Sequence, residues 1–128
     1  MIIVDTSVWI AAQRQSQGEI SRTLLSLLDA DEVALALPVR LELLAGVGKA
    51  DRRRFLRALS ALPVLAPTED TWQPLDEWVS RAADAGERFA VTDLLIARLA
   101  EEIGGLVWSL DADFVRMERL KLVDLYAS

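Results

Sequence analysis

Five acidic side chains stand where chemistry could begin. Asp5 directly follows the apolar run Met1 to Val4, and Asp111 and Asp113 follow the run Leu106 to Leu110. Asp93 opens an apolar-patterned segment, and Glu42 lies about one helical turn beyond Pro38. Taken singly, each has an ordinary explanation as a cap, a dipole partner, a turn residue or a solvated helix residue. Together, four separated segments could aim carboxylates at one place. Like charges about 4 Å apart repel by roughly 4 kcal/mol at an effective dielectric of about 20, so such a cluster needs compensation. A divalent cation supplies it. Magnesium takes one or two protein carboxylates, keeps several waters and bridges to substrate phosphate, which makes phosphodiester hydrolysis by activated water the implied chemistry.

What the chain lacks narrows the choice. It has no cysteine and no histidine, which removes thiol nucleophiles, thiolate zinc sites, imidazole bases and imidazole metal ligands. A metal held here has oxygen ligands only, pointing to magnesium, manganese or calcium. The formal charge of −6 argues at first sight against a polyanionic partner. Part of that acidity sits in the candidate site, where a cation offsets it, and Arg52, Arg53 and Arg54 form a basic run with Lys49 and Arg57 nearby. Such a run is ordinarily a solvated helix face, although it could track phosphates. Trp9, Trp72, Trp78 and Trp108 are read as core or interface packing rather than as base-stacking platforms.

The elements that must place these acids follow from periodicity. Met1 to Val4, Val33 to Leu37, Val64 to Ala66 and Leu106 to Leu110 read as short buried strands, with a last one near Leu122 to Leu125. Helices are expected over Val8 to Gln13, Ile20 to Leu28, Pro38 to Gly46, Asp51 to Leu62 and Thr68 to Ala85, then from Asp93 to Ile103 behind a Thr92 cap, and near Asp113 to Arg119. Thr6 and Ser7 offer caps for the first helix. Strands alternating with helices imply an α/β layer fold with a parallel sheet, whose functional crevice lies beyond the carboxyl ends of the strands. The 128 residues fit one domain, 1–128, and show neither a secretory leader nor an apolar stretch long enough to span a membrane, so a cytoplasmic location is expected.

With these residues in place, the chain resembles the PIN-domain ribonucleases, and most closely the VapC toxins of toxin–antitoxin pairs. The similarity rests on IIVDTSVWI (Ile2 to Ile10), PVRLELLAG (Pro38 to Gly46), TDLLIARLA (Thr92 to Ala100) with two glycines close behind, and LVWSLDADF (Leu106 to Phe114), in the family's order. It implies a three-layer α/β/α fold around a mainly parallel sheet of four to five strands. By position, the family's acids become Asp5, Glu42, Asp93 and Asp111, with Asp5 and Asp93 as principal metal ligands and Asp113 as an additional or substituting member. Thr6 and Ser109 match auxiliary hydroxyls, Ser109 standing where the family often has threonine.

The resemblance further implies Mg2+ dependence with Mn2+ as a substitute, RNA as substrate, a homodimer, and a VapB-type antitoxin covering the groove. Arg14, Arg40 and Arg88 are the candidate RNA or antitoxin contacts. Three rival readings remain at this point: a PIN nuclease of RNA maturation, a catalytically silent binding module, and a phosphatase of the haloacid-dehalogenase type with Asp5 as nucleophile. The last places a second aspartate two residues after the first, where this chain has Ser7.

Overall fold

In the computed structural model, which describes residues 1–127, the apolar opening forms β1 (Ile2–Val4), followed by α1 (Thr6–Arg14) and α2 (Glu19–Asp29). Next come β2 (Val33–Ala36), α3 (Leu37–Gly46), α4 (Arg52–Leu59) and β3 (Val64–Leu65). The remainder is α5 (Glu69–Trp72), α6 (Leu75–Asp84), α7 (Val91–Glu102), β4 (Leu106–Trp108) and α8 (Ala112–Arg119). The four strands pair in parallel in the order β3-β2-β1-β4, with Ile2 beside Val33 and Leu106, and Val4 beside Trp108. After β3 the chain crosses back to lay β4 against the free edge of β1. The strand order therefore reverses between β1 and β4, and their carboxyl ends flank the crevice where open parallel sheets bind ligands.

Strand alternation creates the layers. Ile2, Val4 and Val33 face α1 and α2, packing with Val8, Ala12, Leu24, Leu27 and Trp108. Ile3 and Leu35 face the other way, against Val39, Trp78, Leu94, Ile96, Ala97 and Phe114. The result is a three-layer α/β/α fold. In α7, Leu94, Leu95, Ile96, Ala97, Leu99 and Ala100 are all buried, so this helix is enclosed on more than one side. It is thereby a rigid support for Asp93 in its first turn. Among the described residues no helix is long and apolar enough to cross a membrane.

Several boundaries depart from the periodicity. The expected last strand shrinks to one parallel bridge between Val107 and Leu125, because Lys121 turns the chain with φ 61° and only Val107 then meets it, through Asp124 and Tyr126. Pro74 splits the expected Thr68 to Ala85 helix into α5 and α6, since its ring and missing N–H interrupt the helical ladder. Thr92 is not a cap: α7 begins two residues earlier than expected, at Val91, with Ala90 in extended conformation and its carbonyl accepting Leu94 N–H at 3.1 Å. Asp5, rather than Thr6 or Ser7, takes the N-cap position of α1. Leu110 lies beyond β4, in the turn that carries the acids.

Gly105 secures the seam between β1 and β4. A Cβ there would lie 2.7 Å from the carbonyl oxygen of Met1, the group that accepts Leu106 N–H at 3.1 Å. Gly105→Ala is expected to push the two strands apart and destabilise the protein by about 1–3 kcal/mol, measured as a lower urea midpoint with an unchanged slope.

Candidate active site

Asp5 emerges where β1 ends, its N–H donating to Trp108 C=O at 2.8 Å, so the pairing of β1 with β4 fixes its backbone. Although it holds the N-cap position of α1, its carboxylate makes no capping bond. It is only 7% exposed, and Oδ2 accepts from Ser7 Oγ and from Ser109 Oγ, each at 2.8 Å. Both hydroxyls are themselves oriented: Ser7 Oγ accepts Leu110 N–H at 3.0 Å and Ser109 Oγ accepts Asp111 N–H at 3.0 Å. A buried carboxylate is costly unless hydrogen-bonded, and this two-serine cradle meets that cost.

The other acids arrive from three helices. Glu42, in α3, accepts from Thr6 Oγ1 at 3.3 Å. Burial pushes the Glu42 carboxyl above the ordinary range and the Asp5 charge adds to the rise, while the Thr6 hydrogen bond opposes it. Asp93, in the first turn of α7, is pushed up to about 6, first by burial and then by the charges of Asp5, Asp111 and Glu42. Asp111 caps α8, its Oδ1 accepting Asp113 N–H at 2.9 Å. One carboxylate oxygen each from Asp93, Asp111 and Asp113 lies within 4.8 Å of the others, close enough to share an ion. The expected acids are thus brought together. Asp111 and Asp113 both join Asp93, whereas Asp5 and Glu42 act on Asp93 through their charges.

The residues conform to the PIN domain family model from residue 2 to residue 120. The chain belongs to the PIN-domain family. Its PIN-domain relatives include Ribonuclease VapC18 of Mycobacterium tuberculosis (strain ATCC 25618 / H37Rv), 32% identical over 119 residues that span 89% of this chain and 85% of the relative. Among solved structures, VapBC2 from Rickettsia felis bound to a DNA fragment from their promoter superposes with a TM-score of 0.80 at 20% identity, covering 98% of each chain. FitAcB from Neisseria gonorrhoeae matches with a TM-score of 0.73 at 21% identity, over 99% of this chain and 97% of that one. At these identities the structural matches establish the PIN-type fold.

The donor set of this PIN domain suits a hard divalent cation: every side chain in the cluster offers carboxylate or hydroxyl oxygen, and the chain has no imidazole or thiolate to compete. The proposed Arg contacts are more dispersed. Arg14 and Arg88 are exposed and Arg40 half-buried, and among the described residues none of the three pairs with the acids. Arg88 lines an open groove of about 660 Å³ with Val79, Phe89 and Val91. Trp78 and Trp108 are buried, Trp9 donates to Val4 C=O at 3.1 Å, and Trp72 is exposed. Two residues escaped the sequence reading of the site. Ser7 entered only as a helix cap and as a mismatch to a phosphatase pattern, and Arg116, three residues after Asp113, pairs with that acid. The second was legible as an i, i+3 pair of opposite charge.

The raised Asp93 carboxyl has a pH consequence. Its proton is held more tightly in the folded state than at the ordinary value of 3.8, so the unfolded chain releases it first as pH rises. The stability associated with that proton is present at acid pH and is lost as pH rises through about 6. The ion-free protein is therefore expected to melt at a lower temperature at pH 7 than at pH 5. Asp93→Asn flattens that segment of the Tm-against-pH curve, measured in chelator.

Proposed function

We propose that this chain is a metal-dependent endoribonuclease and the toxin of a VapBC-type toxin–antitoxin pair. The observation that carries the reading is the convergence of acids from β1, α3, α7 and α8 at the strand-order reversal, with the Asp93 carboxyl raised to about 6 by burial and then by the charges of Asp5, Asp111 and Glu42. The ribonuclease name of the 32%-identical relative supports the RNA substrate, and the VapBC complexes among the structural matches support a VapB-type antitoxin partner. The same reading includes a homodimer, a cytoplasmic location, and Arg14, Arg40 and Arg88 as RNA or antitoxin contacts.

Asp5, Asp93, Asp111 and Asp113 would hold Mg2+, with Mn2+ able to replace it. When bound, the cation supplies neutralisation of the cluster, polarisation of phosphoryl oxygen and activation of water. The protein's own groups do the rest. Ser7 and Ser109 fix Asp5, so its charge is preorganised and its ordering cost is met on folding. Glu42, steadied by Thr6 and with its carboxyl raised by burial, is the acid left free of the cation to accept a proton from an attacking water. Asp111 is oriented by the N-terminus it caps. No covalent enzyme intermediate is expected.

The test is expression of the wild type beside Asp5→Asn, mapping new RNA ends with and without Mg2+. New 5′ ends that need both the metal and Asp5 uphold the reading. Trapping of a phosphorylated Asp5 would instead select the phosphatase alternative, and cleavage indifferent to Asp5→Asn would remove the proposed site.

A further inference from the structure

Among the described residues, Arg116 alone forms ion pairs that reach the acidic cluster. Its Nη2 donates to Asp113 Oδ1, and its Nε lies 3.1 Å from Glu87 Oε2. That Nε–H is buried and points off the Glu87 oxygen, so this second contact is an ion pair and not a hydrogen bond. Glu87 stands in the turn that Gly86 opens at φ 76° and that leads into α7. The guanidinium therefore bridges two separate pieces of the site: α8, which carries Asp111 and Asp113, and the approach to α7, which carries Asp93.

We propose that Arg116 is a positioning residue, clamping Asp113 and Glu87 so that the first turns of α7 and α8 keep the spacing at which Asp93, Asp111 and Asp113 take a divalent cation. The inference rests on the metal-site reading given above and adds to it the residue that sets cation affinity. Two roles for an arginine here predict opposite signs. As a bare charge, the guanidinium repels a cation, and removing it tightens metal binding. As a clamp, it holds carboxylates in register, and removing it weakens binding; outer partners of metal ligands typically matter by about 10–100-fold in affinity.

The experiment is titration of the purified protein with Mn2+, by calorimetry or by the electron paramagnetic resonance of the free ion, alongside melting in chelator to verify folding. Arg116→Met is expected to weaken Mn2+ binding by about tenfold or more. Arg116→Lys restores only part of the loss, because an ammonium cannot present the planar fork to two carboxylates. In an Asp113→Asn background, Arg116→Met changes affinity by less than about threefold, since the clamp acts through Asp113. Affinity that is unchanged or higher in Arg116→Met overturns the proposal, as does an undiminished loss in the Asp113→Asn background. Should Arg116→Met fail to fold, Arg116→Lys carries the same comparison. Wild-type protein that takes up no Mn2+ defeats the metal reading itself and this inference with it, whereas normal wild-type uptake with indifferent Arg116 variants defeats this inference alone.

Discussion

Asp93→Asn is expected to lower RNA cleavage by about 1,000-fold or more, a loss of roughly 4 kcal/mol of transition-state stabilisation, while making the ion-free protein more stable. The two effects have one origin. Burial first, and then the charges of Asp5, Asp111 and Glu42, raise the Asp93 carboxyl from 3.8 to about 6. Linkage would convert that rise into roughly 3 kcal/mol of strain at neutral pH for a fully buried group. Because the carboxylate is only half-buried, solvent screening reduces the figure to about 1 kcal/mol. Asparagine keeps the shape and removes the charge, so a rise of a few degrees in Tm is expected in chelator. Saturating Mg2+ reverses the order, because only the wild type gains the full binding free energy of the ion in the folded state. Thermal melts of both proteins with and without Mg2+, beside a cleavage assay, check the crossing. A variant less stable than wild type in both buffers would mean that Asp93 is a structural residue.

The layer order and four of the acids were legible because each signal is local. Three β-branched or apolar residues ending in Asp5, and a similar run ending in Ser109-Leu110-Asp111, mark strand ends whatever the rest of the chain does. Parallel pairing then carries those ends to the same edge of the sheet. The choice between Asp111 and Asp113 was not legible, since it depends on local geometry: Asp111 Oδ1 takes Asp113 N–H, Arg116 holds the Asp113 carboxylate, and both acids come within reach of Asp93. Thr92 misled for a related reason. A side-chain cap is worth only about 1 kcal/mol, and here the backbone sets the start instead, Ala90 being extended with its carbonyl already accepting Leu94 N–H. The last strand failed because its pattern said nothing about Lys121, whose left-handed backbone limits contact with β4 to a single bridge. Ser7 was the least legible of all. Its importance comes from Ser109, far along the chain, and such a pairing has no sequence period.

That pairing supports the second large effect. Ser7→Ala combined with Ser109→Ala is expected to destabilise the ion-free protein by roughly 3–5 kcal/mol, because each hydrogen bond to a charged group contributes about 1.5–3 kcal/mol. Asp5 Oδ2 accepts both serine hydroxyls, and the carboxylate is too buried for water to replace them freely. The backbone N–H groups of Leu110 and Asp111 lose their acceptors in the same step, loosening the turn that delivers Asp111. The single variants are not expected to sum to the double. The hydroxyls lie 3.3 Å apart and share one oxygen, so either serine can partly cover for the other, and a double-mutant cycle in urea should show coupling of about 1 kcal/mol. Against a typical total stability of about 5–15 kcal/mol, the double variant stands near the edge of folding. A urea midpoint equal to wild type would show that Asp5 draws its support from elsewhere. If the cradle acts as described, Mg2+ recovers part of the lost midpoint, since an ion held beside Asp5 takes over some of the charge that the two hydroxyls no longer satisfy.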